Sequence, residues 1–459
     1  MKWFHRSAPR KTVTGISIST NAHVMLFDLP SALIHFLLST LPFNSNTGQQ
    51  SEVVPESRGL AFRLRHAHAT HNDSRIVFTD APSTLSLSSD AGLYYPGLRT
   101  KPLTIYKPSS MQDFQVARKR RSAVGLSWTS ASTPSPDTSD RETLLLLAKM
   151  TSNAYTNPNA TDWYPLDRFP DNNTLPFGWE PDADGFRGHV FVSEDNSTVV
   201  VSVKGTSAGW MVGGGGPTVA KDKLNDNLLF SCCCAKVGPT WSPVCGCHQG
   251  GYKCGQTCLE RSLADDSLFY SVGINLYNNV TYMYPNANIW MIGHSLGGSL
   301  ASLIGNTFGA PVVTFEAPPE KLAATRLHLP TPPSAQHITH VFHTADPIAM
   351  GTCNGVRSLC AIGGYAMESK CHMGTIVKYD TITDLGWSAD SRTHGILVII
   401  ERLLGTDWWR EKHGDASEGE TSDGRAKDRE VPAPTLDEDC VDCFDWEFVE
   451  DFGTGVGCH

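Results

Sequence analysis

Residues 288–309 read NIWMIGHSLGGSLASLIGNTFG, and this stretch leaves the chain few folds to choose from. A short apolar run, Ile289 to Ile292, meets Gly293-His294-Ser295-Leu296-Gly297 and passes directly into a helix-like run with small residues at Ser299, Ala301, Ser302 and Gly305. A serine with glycine two positions before and two after it, between a strand and a helix, is a nucleophile elbow. The turn is so tight that the flanking positions tolerate almost no side chain, and it lifts the serine oxygen above a sheet. In a chain with 40 glycines a bare G-x-S-x-G can arise by chance, but the strand before and the helix after are what the elbow requires. The expected fold is therefore α/β, a mixed hydrolase-type sheet flanked by helices. The amide of Leu296, opening the helix, would face an oxyanion formed on a carbonyl attacked by Ser295.

An elbow serine needs a base and an acid, and on such sheets the chain order is Ser, then Asp or Glu, then His. Asp346 directly follows the β-rich run Ile338 to Phe342, and Pro347 fixes the turn after it. Asp380, Asp384 and Asp390 are its rivals. His394 lies in a loop just before the last helical run, Ile396 to Leu404, where the order calls for a base; His340, His343 and His372 are the alternatives, the first two preceding the acid. In the strands GHVFVS and TVVVSV the second ends in Lys204-Gly205-Thr206-Ser207, and Thr206 is the candidate for a second oxyanion donor. The glycine-rich Gly209 to Pro217, with Trp210, Met211 and Val212, sits where a lid would hinge.

Charge and cysteine use divide the rest of the chain. The formal charge is −10, yet after Thr406 there are 16 acidic against 5 basic residues, so the acidity belongs to a tail. Residues 406–459 read as that acidic, mostly disordered tail. Residues 139–405 read as the catalytic domain, opening on an N-cap before Glu142, and Ser-, Thr- and Pro-rich 44–138 as a luminal stem. Residues 1–22 are basic and acid-free, and 23–43 are mostly apolar but broken by Asp28, Pro30 and His35; they suit a signal-anchor or a cleaved signal peptide. Thirteen cysteines, seven of them between Cys232 and Cys258, are many for a reducing cytosol. With the sequons at Asn72, Asn159, Asn172, Asn196 and Asn279 they point to the secretory pathway. Zinc-ribbon spacing is absent from the cysteine cluster, so a disulfide-stapled insertion is expected, with no metal and no cofactor.

The strand ending in Lys204-Gly205-Thr206, the elbow GHSLGG, HTADPI at 343–348 and the late His394 resemble the class 3 (Rhizomucor-type) lipases. NDNLLFSCCCAKV (225–237), KLAATRLHLP (321–330), DPIAMGTCNG (346–355) and GYAMESKCH (364–372) are similar to the fungal autophagy-related branch of that family. The resemblance covers roughly residues 140–405. It implies Ser295 as nucleophile, Asp346 and His394 as its relay, and Thr206 with Leu296 as oxyanion donors. It also implies a single-pass type II membrane protein that travels through Golgi, endosome and multivesicular body to the vacuole. There it would hydrolyse phospholipids and neutral lipids of vesicle membranes, with no nucleic acid and no obligate protein partner. An esterase acting on non-membrane esters and an inactive membrane-anchored adaptor are the alternatives.

Overall fold

The computed structural model describes residues 60–70, 76–80, 94–156, 161, 163–164, 184–193, 195–207, 219–237, 241–264, 268–408 and 430–450. The N-terminal segments 1–22 and 23–43, the sequons Asn72, Asn159 and Asn172, the lid candidate Gly209–Pro217 and Cys458 lie outside them. No helix among the described residues is long and apolar enough to cross a membrane.

In chain order the strands are β1 (Leu60–Thr70), β2 (Ile76–Asp80), β3 (Tyr94–Leu98), β4 (Thr100–Pro108), β5 (Trp128–Pro136), β6 (Asp184–Ser193), β7 (Thr198–Val203), β8 (Lys253–Gly255), β9 (Asn288–His294), β10 (Val312–Phe315), β11 (Ile338–His343), β12 (Thr375–Tyr379), β13 (Thr435–Leu436) and β14 (Glu447–Val449). The helices are α1 (Met111–Arg120), α2 (Arg141–Ser152), α3 (Val219–Phe230), α4 (Gln256–Leu263), α5 (Phe269–Met283), α6 (Leu296–Phe308), α7 (Lys321–Arg326), α8 (Leu359–Gly363), α9 (Thr381–Leu385) and α10 (Ile396–Val398), the last widening into a π-helix, Ile399–Leu404.

Ten strands form one mixed sheet, ordered β13-β12-β11-β10-β9-β7-β6-β1-β2 with β3 also on β1. The centre, β7-β9-β10-β11-β12, is parallel. β7 is buried at all six positions because helices cover both faces. Val199, Val201 and Val203 pack with residues of α3, α5 and α6. Val200, with Trp290, Ile292 and Phe315, packs on the other face against α2 and α10. The start of α2 is set by Asp140, whose carboxylate accepts the Thr143 amide at 2.8 Å. Pairing aligns Val203 with Gly293 and Phe315 with both His294 and Val341, so the central strands end together at one edge. Chemistry in open α/β sheets is assembled outside that carboxyl edge.

Two expectations are corrected. The described residues of 44–138 are not a stem and the catalytic unit does not begin at 139, because β1 pairs along β6 inside the main sheet and the β4–β5 hairpin docks on β9. The Trp290 indole donates to the Pro134 carbonyl at 2.9 Å, and Thr133 donates to the Asn288 side chain at 2.7 Å. Strand β1 does alternate, with Phe62, Leu64, His66 and His68 buried and Arg65 exposed. Two inward histidines disguise the pattern.

The tail is corrected likewise over 430–450. Strand β13 joins β12, β14 pairs with β8, and disulfides Cys232–Cys443 and Cys371–Cys440 fasten the segment to the domain. Asp442 accepts the amides of Lys370 at 2.6 Å and Cys371 at 3.2 Å, so part of the acidity binds backbone rather than water. Three further disulfides, Cys233–Cys254, Cys234–Cys245 and Cys247–Cys258, staple the insertion as expected, and Cys353–Cys360 closes a separate loop.

Candidate active site

Ser295 caps α6 with φ 56° and ψ −135°, a strained conformation for a residue with a side chain. The turn holds only because its neighbours lack Cβ atoms. A Cβ on Gly293 would lie 2.4 Å from the backbone of Gly297, and one on Gly297 2.3 Å from the Val203 carbonyl. Leu296 begins the helix, with its amide in the first turn beside the serine.

Three side chains meet at this elbow, from the ends of β9 and β11 and from the turn just before α10. The Ser295 hydroxyl lies 2.8 Å from His394 Nε2, and His394 Nδ1 lies 2.6 Å from Asp346 Oδ2. All are at most 3 % exposed. Asp346 Oδ1 accepts the Ile348 amide at 2.8 Å, which leaves Oδ2 to the imidazole. Burial works to raise the Asp346 carboxyl, but the imidazole of His394, the Glu316 carboxyl and His343 outweigh it and hold it below the ordinary carboxylate range. An ionised acid on Nδ1 fixes the tautomer that leaves Nε2 free to take the serine proton.

The rival acids and bases stand elsewhere. Asp380 and Asp390 cap short helical turns, and Asp384 lies within α9. His340 and His372 are gathered around Glu320, and His343 faces Glu316 and the Thr393 carbonyl.

Thr206 lines the same small cavity as Ser295, with Asp226, Ile348, Cys360, Tyr365 and Met367. The cavity is about 10 Å³, room for one water and not for an acyl chain. Thr206 Oγ1 and Asp226 Oδ2 share a hydrogen bond at 2.7 Å, and burial pushes the Asp226 carboxyl up to about 8. Beside it Lys204 Nζ donates to Asp222 at 3.4 Å and to the Gly205 carbonyl at 2.7 Å, while the Ser207 amide donates to Asp222 at 2.8 Å. This buried network fixes the loop after β7.

Three supporting residues escaped the sequence. Tyr155 bridges the loop and the elbow, its hydroxyl accepting the Gly205 amide at 3.0 Å and donating to His294 Nδ1 at 2.7 Å. Burial takes His294 down to about 3, so it is neutral, and its Nε2–H donates to the His394 carbonyl at 2.7 Å. Glu316, just past β10 at φ 45°, lies with Asp346 and His394 in one buried group, and burial followed by the Asp346 charge raises its carboxyl well above the ordinary range. The only sequence signal was an acid ending an otherwise apolar strand. Of the sequons, Asn196 and Asn279 are exposed.

The class 3 lipase family matches residues 235–350. A protein of Cryptococcus neoformans var. neoformans serotype D (strain B-3501A) that carries the lipase name ATG15 is 51 % identical, over 70 % of this chain and 70 % of its own. One from Mycosarcoma maydis with the same name is 44 % identical over 93 % of this chain and 92 % of its own. Among solved structures, the lipase of Rhizopus microsporus var. chinensis aligns at 15 % identity with a TM-score of 0.25, over 53 % of this chain and 76 % of that one. With an elbow serine, imidazole and carboxylate in bonding sequence, and relatives this similar over this much of their length, the chain belongs to the class 3 lipases, in the ATG15 group, and is a carboxylic ester hydrolase.

Proposed function

We propose that this lipase works by serine catalysis on the acyl esters of membrane phospholipids and neutral lipids, and that its target is the vesicles delivered to the vacuole lumen. His394 takes the Ser295 proton as Oγ attacks the ester carbonyl, and Asp346 holds and stabilises the imidazolium. The amides of Thr206 and Leu296 take up the charge on the tetrahedral oxygen. The imidazolium then gives its proton to the leaving alcohol, and water repeats the cycle on the acyl-enzyme.

The observation that carries the reading is the Ser295–His394–Asp346 chain of contacts, at 2.8 and 2.6 Å. A membrane substrate is favoured by what surrounds this small cavity. Cys360 of α8 lines it, and on the same short element Leu359 and Ile362 are 55 % and 72 % exposed, with Val356 before them at 62 %. Apolar side chains left in water beside an active site suit a lipid surface. The disulfides, the exposed Asn196 and Asn279, and the apolar segment at 23–43 support a type II protein of the secretory pathway, carried through Golgi, endosome and multivesicular body.

The test is full-length protein on vesicles of phosphatidylcholine and phosphatidylserine and on emulsified triacylglycerol, with fatty acid release as readout. Ser295→Ala should lower the rate by about 10⁶ and leave vesicles intact. Equal release by wild type and Ser295→Ala, or activity confined to soluble esters, would overturn the proposal.

A further inference from the structure

A second buried cluster lies away from the serine. Glu320 sits just ahead of α7, His340 lies within β11, and His372 comes shortly before β12. They are 0 %, 0 % and 4 % exposed. One ligand atom from each falls within 4.8 Å of the others. His340 Nε2 is 3.1 Å from Glu320 Oε1, and His372 Nδ1 is 3.5 Å from Glu320 Oε2. Neither contact has hydrogen-bond geometry, and Glu320 Oε2, His340 Nε2 and His372 Nδ1 all remain without a hydrogen-bond partner. Three buried polar atoms without hydrogen bonds thus lie side by side, where one shared occupant would satisfy them together.

The outer bonds say what that occupant is. The far nitrogen of His372, Nε2, faces the Ala349 carbonyl at 2.9 Å and must carry the hydrogen, so in the neutral ring Nδ1 presents a lone pair toward the carboxylate. Acceptor faces acceptor there. His340 Nδ1 pairs with Thr314 Oγ1 at 2.8 Å, and Ser302 donates to Glu320 Oε1 at 2.5 Å with the Met373 amide at 3.4 Å. Each ring is thus held by its far nitrogen to a carbonyl or hydroxyl, the outer-shell arrangement of metal-ligating histidines. Among the described residues no lysine or arginine pairs with Glu320, whose near neighbours of opposite charge are these two rings. The cysteines of the described residues are all in disulfides, leaving nitrogen and oxygen donors.

We infer that Glu320, His340 and His372 bind a divalent cation of borderline hardness, Zn²⁺ before others, as a structural metal. Tetrahedral ligands about 2.0–2.1 Å from zinc stand about 3.3 Å apart; the three candidate ligand atoms lie within 4.8 Å of one another, His372 Nδ1 being 3.5 Å from Glu320 Oε2, so a small contraction would bring them to that spacing. Imidazole with carboxylate suits zinc better than magnesium or calcium. The site would tie together α6 through Ser302, β10 through Thr314, β11, and the Ala349 backbone three residues beyond Asp346. It therefore acts on catalysis through the position of the Asp346 loop, and it departs from the sequence expectation of no metal.

Full-length protein purified without chelator should carry about one Zn²⁺ per chain by mass spectrometric metal analysis, and Ser295→Ala should carry as much. Glu320→Gln and His372→Gln should hold less than about a tenth of that. Dialysis of wild type against dipicolinate should lower its Tm, with recovery on adding Zn²⁺ but not Mg²⁺. If both variants fail to fold, Co²⁺ reloaded into dialysed wild type provides the readout: visible d–d absorption of nitrogen–oxygen-coordinated Co²⁺ is expected. A chain with no stoichiometric metal as purified or after ZnCl₂ and gel filtration would overturn the inference, leaving a water molecule or a proton in the space. So would equal zinc in wild type and His372→Gln.

Discussion

The contact between Thr206 and Asp226 makes the oxyanion site sensitive to alkaline pH. Oγ1 and Oδ2 are 2.7 Å apart, a distance that serves either direction of hydrogen bonding. Burial pushes Asp226 up to about 8, so below that pH the carboxyl keeps its proton and can donate it to Thr206, freeing the threonine hydrogen for the oxyanion. The ionised carboxylate has nothing to donate and takes that hydrogen itself. Losing one oxyanion donor costs about 3 kcal/mol, or 10²–10³ in rate. Activity should therefore fall about tenfold per pH unit above pH 8 until the loss saturates near 10². The assay is kcat/KM for a short, soluble p-nitrophenyl ester, which keeps lipid binding out of the measurement. In Asp226→Asn the amide donates to Thr206 at every pH, so the alkaline fall should vanish, whereas Thr206→Val should be low and flat throughout. Lys204 and Asp222 share the network, Lys204 lowered by burial and Asp222 raised by it. A fall of the same size and midpoint in Asp226→Asn would assign the effect to them and refute the reasoning.

Asp226 should also shape stability. Its folded pKa of about 8 lies above the ordinary 3.8, so its contribution is fully present below 3.8 and is lost as pH climbs through 8. The upper bound is about 6 kcal/mol, and Asp226→Asn should unfold in urea with a smaller difference between mildly acidic and alkaline buffer than wild type. Glu316→Gln replaces a neutral carboxyl by an amide of the same shape, so kcat should stay within about threefold of wild type; a hundredfold loss would mean the acid works ionised. Cys232–Cys443 closes a separation of 211 residues, and replacing both cysteines by serine should cost about 5 kcal/mol by chain entropy, read as a lower urea midpoint. Leu359→Asp with Ile362→Asp should weaken vesicle binding by about 10–100-fold, the worth of two partly buried side chains, and leave soluble-ester turnover unchanged.

Much of the site was legible because its constraints are local or ordinal. A serine that must sit at φ 56° between close backbones writes two glycines into the sequence, and the sheet's chain order places the acid and base after it. Asp346 and His394 could be chosen that way without any knowledge of contacts. Tyr155, Asp226 and Glu316 could not. Each acts through a neighbour far along the chain, as Tyr155 does on His294, 139 residues away, and no period or spacing records such a meeting.

The errors in the fold have the same origin, since polar residues were read as solvated. His66 and His68 occupy inward positions of β1, so a strand of the main sheet looked like part of a stem. Asp442 caps backbone amides while Cys440 and Cys443 hold its segment in place, so a docked strap looked like a loose tail. Burying a polar group is tolerated when a specific partner meets it, and that partner is a property of the fold. Glu320, His340 and His372 belong to this class, and they differ from Asp442 in one respect: the fold brings them together and still leaves an atom of each unmet. Other buried polar atoms near the serine also lack hydrogen bonds, Glu316 Oε2 and His343 Nδ1 among them. The Glu320 cluster is set apart because ligand atoms of three residues lie together while each ring is held by its far nitrogen, which is the physical ground for placing an ion among them.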